Sequence, residues 1–243
     1  MKLSADEINE LEGTRVTREL KQTQPLSCDV LDLFNEEFLS QYMETVQKVV
    51  NAPDLLVAAS IFSKRYSLIV TLPALLMMTR SNKQLEWNKE LLQLSDSNTD
   101  QWWLPCMYSR SLSYAHWSEG NLGVAQKEEI LRQIFADHLA PLWEKLHQLT
   151  NIPTVTLWEN TFVYIRWFYE DVLTERALEG NVCKVKEDFR FICEAPGSIF
   201  GCKKNPLSTF YKNSMEVNSM RKTCCFAYRC SSDKTKCKSC PKV

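Results

Sequence analysis

Glycine and histidine are both scarce in this chain of 243 residues, which contains 6 Gly and 3 His. Neither GxGxxG nor GxxxxGK[ST] occurs in it, so no glycine-rich loop of the kind that cradles nucleotide phosphates is present. A metal site built from histidine would need nearly all of His116, His138 and His147. The composition therefore argues against Rossmann-type binding of NAD(P)H or flavin, and against a histidine-dominated metal centre.

The sequence also lacks the marks of a leader peptide or a membrane span. Its N-terminus, MKLSADEINELEG, is polar and acidic, without the basic start and apolar run of a signal peptide. The longest nearly uninterrupted apolar run, Leu68 to Met78, is shorter than the roughly 20 residues that cross a bilayer. We therefore expect a soluble, cytoplasmic protein with no transmembrane segment.

Cysteine is unusually frequent, and it is concentrated near the C-terminus. Of the 10 Cys, only Cys28 and Cys106 precede residue 180. Charge is divided in the same way, because residues 201–243 have a balance of +8 and the preceding 200 residues have a balance of −9. The net charge of −1 thus hides an acidic body and a basic, cysteine-rich tail. In a reducing cytosol, so many cysteines are more often metal ligands or redox groups than disulfides.

The acidic body has the apolar periodicity of helices. The pattern predicts a short N-terminal helix with a capping box at Ser4 and Glu7, and longer helices over 29–51, 54–80, 126–149 and 154–179. Pro141 is expected to kink or divide the third of these long helices, and a strand is an alternative at the start of the fourth. We predict a mainly α fold, with a helical body over 1–200 and an irregular cysteine-rich segment over 201–243.

The string RKTCCFAYRCSSDKTKCKSCPKV, residues 221–243, holds the cysteines that suggest chemistry. Cys237 and Cys240 form a CxxC, and Cys224 and Cys225 are adjacent, eleven intervening residues upstream. Four thiolates suit either zinc or an iron–sulfur cluster, since soft sulfur ligands select those metals. Adjacent cysteines are unusual in a zinc ribbon, which normally pairs two CxxC knuckles.

This string resembles the C-terminal motif of the FhuF-like ferric-siderophore reductases. In that family CC is followed by ten residues and then CxxC, and the four cysteines hold a [2Fe–2S] cluster. The resemblance implies that the cluster ligands here are Cys224, Cys225, Cys237 and Cys240. The loop departs from the family pattern because it has eleven residues and contains an extra cysteine, Cys230.

The same resemblance implies a cytoplasmic enzyme that transfers one electron from the cluster to a ferric siderophore of the hydroxamate or citrate type, and so releases Fe(II). Electrons would come from an external donor, such as a reductase, a ferredoxin or a small reductant. Two alternatives remain open from the residues alone. One is a non-enzymatic interaction protein with a Zn(Cys)₄ site, and the other is an iron–sulfur sensor of redox state or iron supply.

Candidate substrate contacts come from an aromatic and cationic stretch and from the basic tail. Such groups suit a partly anionic, amide-rich chelate, although aromatic residues more often pack in a core. The candidates are Trp102, Trp103, Tyr108, Arg110, His116, Lys236 and Lys238. Nucleic acid is not an expected partner, because no recognition motif accompanies the basic tail. The segment LWEN, residues 157–160, indicates nothing beyond helix packing.

Overall fold

The protein is described by a computed structural model that covers residues 1–20, 24–96, 103–117, 120–176, 181–215, 219–231 and 233–242. Helices predominate in these residues, and the C-terminal cysteine segment is irregular. The predicted fold class, mainly α with an irregular cysteine-rich end, is confirmed. The division into a body and a tail at residue 200 stays a prediction.

One long helix forms the centre of the molecule. We number helices and strands in chain order, and this helix is α3, Leu55–Arg80. Asp54 caps its first turn by accepting a hydrogen bond of 2.9 Å from the backbone N–H of Val57. Nearly all of its side chains are buried, as expected for a helix that is apolar all round.

The length and composition of α3 would also allow it to cross a membrane. It is the one helix in the described part of the chain with that property, and 78% of its most apolar window is buried inside the protein. Core helices of soluble proteins pass the same test.

A stripe of buried hydroxyl groups runs along α3. Ser63, Ser67 and Thr71 each donate a hydrogen bond of 2.7–2.9 Å to the carbonyl oxygen three or four residues earlier. These local bonds satisfy groups that would otherwise be costly to bury. Ser60 begins the stripe and bonds elsewhere, as described below.

Two helices precede α3, and the first of them starts where the sequence predicts. Helix α1, Ala5–Glu12, has the complete capping box of Ser4 and Glu7. Helix α2, Glu36–Val49, begins later than predicted because a 3₁₀ turn, Val30–Phe34, occupies the first part of the predicted span.

Pro141 divides the third predicted long helix, as expected. Helix α4, Val124–Ile134, passes through a π-helical turn, Phe135–Leu139, into α5, Ala140–Thr150. Proline has no N–H to donate to the carbonyl oxygen four residues earlier, which belongs to Asp137. That oxygen instead accepts a hydrogen bond of 2.8 Å from the Lys89 ammonium.

The fourth predicted long helix is helical from its start, so the alternative of a strand there is wrong. Helix α6, Thr154–Trp167, continues through a π-helical segment, Phe168–Leu173, into a single turn, α7, Thr174–Arg176. Helix α6 packs against α3. This pair of helices supports the C-terminal cysteine segment.

Two small sheets cover part of the helical core, and the sequence did not predict them. The strands are β1 Val16–Thr17, β2 Cys28–Asp29, β3 Lys83–Leu85, β4 Leu92–Ser95, β5 Cys106–Ser109 and β6 Tyr114–Trp117. Four of them form one sheet in the order β1-β5-β4-β2, and two form the other, β3-β6. Among these described strands, β1 pairs parallel with β5 and the other pairings are antiparallel.

Two further helices lead to the cysteine segment. Helix α8, Val182–Glu194, and helix α9, Ser208–Ser214, flank a 3₁₀ turn, Gly197–Phe200. Gly201 follows with a φ of +62°, which glycine adopts without strain, and a side chain at this position would contact Ala136 and Ala140. Helix α9 packs against α6 and α8.

Candidate metal centre

The four predicted ligands lie together, and one of them faces solvent. Cys224, Cys225 and Cys240 are 7%, 3% and 2% exposed, whereas Cys237 is exposed. Burial raises the pKa of the Cys224 thiol, and Cys225 and Cys240 lie near enough for their charges to raise it further. Partial burial raises the pKa of the Cys237 thiol, and Cys225 and Cys240 are close enough for their charges to raise it further. The fold therefore brings the adjacent pair and the CxxC pair to one place.

Local backbone turns aim these side chains. Phe226 has a φ of +57° and leads into a 3₁₀ turn, Ala227–Arg229, so the chain reverses directly after Cys225. In this conformation the Phe226 N–H donates to the Cys224 Sγ at 3.3 Å. The CxxC closes its own turn, with the Cys240 N–H donating to the Cys237 carbonyl oxygen at 3.0 Å. An N–H that donates to sulfur, as that of Phe226 does, stabilises the thiolate and tunes the potential of a cluster.

A buried carboxylate on α6 holds the chain just before the adjacent cysteines. The Glu159 side chain accepts hydrogen bonds of 2.7 Å from the backbone N–H groups of Lys222 and Thr223. The Thr223 hydroxyl donates to the same carboxylate. Glu159 is 3% exposed, so a buried acid is satisfied by three donors from one short segment.

Asn160, the next residue, joins three parts of the chain. Its Nδ2 donates to the Ser60 carbonyl oxygen and hydroxyl at 3.1 Å and to the Ser63 hydroxyl at 3.0 Å. Its Oδ1 accepts a hydrogen bond of 2.7 Å from Nη2 of Arg221. Ser60 in turn donates its hydroxyl to the Cys225 carbonyl oxygen at 2.8 Å. A predicted ligand residue is thereby fixed to the central helix.

Arg221 links the two pairs of cysteines. Its backbone N–H donates to the Ser239 carbonyl oxygen at 3.0 Å, between the two cysteines of the CxxC. Its guanidinium lies beneath the site, 8% exposed for the whole residue, with Nε 3.6 Å from Glu159 Oε2. We call Ser60, Ser63, Glu159, Asn160, Arg221 and Thr223 the polar junction. Sequence reasoning missed this junction; its only signal was an acid and an amide inside an apolar helix.

Cys230, the extra cysteine of the loop, lies beside the four ligands and packs against the core. It is half-buried, and burial raises the pKa of its thiol, whereas the charges of Arg65 and Arg229 act in the opposite direction. Cys225 is also near enough to influence it. Of the remaining C-terminal thiols, Cys193 is buried and Cys183 is exposed.

The predicted substrate contacts are not assembled around the cysteines as one group. Trp103 is 2% exposed and stacks on Phe62 with ring centroids 6.1 Å apart, so its ring is part of the core. Arg110 forms an ion pair of 2.6 Å with Asp29, next to strand β5, which contains Tyr108.

His116 lies on β6 opposite Gln84, while Lys236 and Lys238 are exposed beside Cys237. Trp102 is outside the described residues. A substrate contact by any of the seven candidates stays a prediction.

The donor set fits an iron–sulfur cluster. Within the described ranges, no three His, Cys, Asp or Glu side chains are grouped closely enough to hold a metal ion as they stand. By their chemistry, four thiolates suit zinc or a [2Fe–2S] cluster, which divides them between two irons. Four cysteines, three of them shielded from solvent, are the ligands that such a cluster takes.

Two family models match the chain and together cover most of it. Residues 60–219 match the model described as "Ferric iron reductase FhuF-like transporter". Residues 221–242 match the "FhuF 2Fe-2S C-terminal domain". The chain belongs to the FhuF-like family. Its cofactor is therefore a [2Fe–2S] cluster, and the expected resemblance and cofactor are both confirmed. No curated protein matches the chain.

Membership explains how the two matched regions are arranged. In this FhuF-like chain the first region includes α6 and most of α3, while the second begins at Arg221. The polar junction lies where the two regions meet. A FhuF-like body therefore provides the surface on which the 2Fe-2S domain is held.

Proposed function

We propose that this protein is a cytoplasmic ferric-siderophore reductase, which delivers one electron to the Fe(III) of a hydroxamate or citrate chelate and releases Fe(II). The family's description as a ferric iron reductase and its 2Fe-2S domain support a reductase that uses this cofactor. The siderophore, the external donor and the compartment are our extensions of that description.

The exposure of Cys237 is the observation that carries the proposal. The other three cysteines are buried, so the Cys237 edge is the part of the site that a chelate can approach most closely. The bound cluster supplies the single electron. The protein's task is to bring the chelate to that edge.

Charge around this edge favours an anionic chelate or an acidic electron donor. Lys236 and Lys238 flank Cys237 and are exposed, and Lys242 is exposed two residues after Cys240. Lys64 on α3 is near enough for its charge to act on the Cys237 thiol, opposing the rise in that group's pKa. Positive potential raises the local concentration of a negatively charged partner and the rate of encounter.

The chemistry needs no general acid, base or nucleophile from the protein. Adding one electron to Fe(III) lowers its charge, and the affinity of the hard oxygen ligands for the ion falls with it. The chelator is left intact. The residues of this chain have to bind, orient and discriminate, which is consistent with a site made of ligands, backbone donors and surface lysines.

The test is a single turnover with a ferrous trap. Protein reduced anaerobically and freed of excess reductant is mixed with ferric citrate or a ferric tris-hydroxamate in the presence of a ferrous chelator. We expect Fe(II) to form in an amount equal to the cluster oxidised. A reduced, cluster-bearing protein that yields no Fe(II) from either chelate would contradict the proposal and favour an iron–sulfur sensor.

A further inference from the structure

The polar junction contains a pair of opposite charges that is almost fully buried. The side chains of Arg221 and Glu159 are 5% and 4% exposed, with Nε and Oε2 3.6 Å apart. Each charge has further partners, because Glu159 accepts from Lys222 and Thr223 and Arg221 donates to Asn160. The two charges are thus held in place by groups other than each other.

This pair lies directly beside the cluster ligands. Glu159 bonds the two residues that precede Cys224. The backbone N–H of Arg221 bonds the carbonyl oxygen of Ser239, within the CxxC, at 3.0 Å. In such a shielded place, fixed charges interact strongly with any change of charge at the ligands.

We propose that Glu159 and Arg221 are positioning residues that set the reduction potential of the cluster by opposing contributions. Arg221 favours the reduced state, which carries one more negative charge, and Glu159 offsets part of that effect. The same two side chains anchor the segment just before the adjacent cysteines to α6. The inference rests on the proposed electron transfer and concerns the tuning of the same site.

Opposite shifts in potential are the expected signature. Glu159→Gln removes a buried negative charge and leaves the charge of Arg221 without compensation, so the midpoint potential should rise. Arg221→Met removes the positive charge and keeps a side chain of similar length, so the potential should fall. Because the two charges offset each other, the double variant should lie between the single variants and near the wild-type value.

The measurement is a mediated redox titration of the holoprotein, followed by visible absorption and by EPR. Glu170→Gln is the matched control, since Glu170 forms an exposed ion pair of 2.6 Å with Arg166 beyond the end of α6. It makes the same charge change where solvent screens it, so we expect the wild-type potential. Shifts in the same direction, or no shift, for Glu159→Gln and Arg221→Met would overturn the proposal.

A further variant separates charge from position. Arg221→Lys keeps the positive charge but removes the planar fork that reaches Asn160. We expect a potential close to that of the wild type and a lower content of iron and sulfide after purification. If neither Glu159→Gln nor Arg221→Met retains iron, the potential of Arg221→Lys becomes the test. A potential far from the wild-type value would overturn the proposal that the charge of Arg221 sets it. A wild type that titrates normally but reduces no ferric chelate would refute the proposed function and leave this tuning intact.

Discussion

Ser60 in the central helix donates its hydroxyl to the carbonyl oxygen of Cys225, 165 residues later in the chain, at 2.8 Å. This bond joins the central helix of the body directly to a predicted cluster ligand. Ser60 is fully buried and also accepts from Asn160. The cysteine segment is therefore bound to the core by polar groups that have no contact with water, and the position of the cluster depends on the packing of α3 and α6.

The ligand assignment predicts different outcomes for two exchanges in the same loop. Cys237→Ser should abolish the cluster, because it removes one of four thiolates. Cys230→Ser should leave it intact, because Cys230 packs against the core and is outside the proposed set. Iron and acid-labile sulfide, measured per protein after anaerobic purification, report the outcome. Retention of the cluster in the first variant, or its loss in the second, would refute the assignment.

Asn160 should be important for stability even though it lies in the middle of a helix. Asn160→Ala removes the partner of Ser63 and of the Arg221 guanidinium. Leaving buried polar groups unsatisfied lowers the free energy of unfolding, here by about 3 kcal/mol. Urea unfolding of the iron-free protein measures the change.

Asn213→Ala is the matched control for Asn160→Ala. Asn213 makes one exposed side-chain hydrogen bond, of 2.9 Å to the Met220 carbonyl oxygen, so its loss should cost less than about 1 kcal/mol. Equal losses of unfolding free energy for the two substitutions would show that the buried hydrogen bonds of Asn160 stabilise the protein no more than one exposed bond does.

Because His138 is buried, we expect the protein to lose stability in acid. His138 is buried against Tyr66, with Nε2 2.7 Å from the hydroxyl, and burial, aided by the charge of Lys89, lowers its pKa from 6.5 to about 3. Below pH 6.5 the unfolded chain binds a proton that the folded protein does not take up until about pH 3. The free energy of unfolding should therefore fall between these values, by about 1 kcal/mol per pH unit.

Comparison with His138→Gln isolates this contribution to the pH dependence. Glutamine cannot titrate but can still bond the Tyr66 hydroxyl. The free energy of unfolding of His138→Gln should therefore vary less steeply with pH between 6 and 4.5. The difference in slope should correspond to the uptake of about one proton. Parallel curves for the two proteins would show that His138 is not buried in the neutral form.

Two cysteines of α8 should differ widely in reactivity. Cys183 is exposed, whereas Cys193 is buried and burial raises the pKa of its thiol. Since the thiolate is the reactive form, iodoacetamide should label Cys183 rapidly and Cys193 only after unfolding. Peptide mass spectrometry over a time course distinguishes the two sites. Comparable labelling rates in the folded protein would contradict the placement of α8.

The long helices could be predicted from the sequence because their apolar residues repeat over many turns. Even the division near Pro141 follows from the chemistry of proline. The sheets could not be predicted in this way. Their strands are two to four residues long, too short for an alternating pattern to emerge, and only tertiary pairing defines them.

The cluster ligands could be found in the sequence because CC and CxxC are local motifs. The polar junction could not, because its members come from α3, α6 and the C-terminal segment. Glu159 and Asn160 are surrounded in sequence by apolar residues, and their role depends on partners about 60 to 100 positions away. Predicting those contacts requires knowing how α3 and α6 pack.

EPR spectroscopy of the chemically reduced protein, with iron and sulfide measured on the same sample, tests the central claim most directly. If Cys224, Cys225, Cys237 and Cys240 hold a [2Fe–2S] cluster that carries one electron, dithionite should bleach the visible absorption and produce a paramagnetic signal. That signal should disappear as ferric chelate is added and Fe(II) accumulates. Anaerobically purified protein that contains zinc, lacks sulfide and shows no paramagnetic centre after reduction would contradict the account.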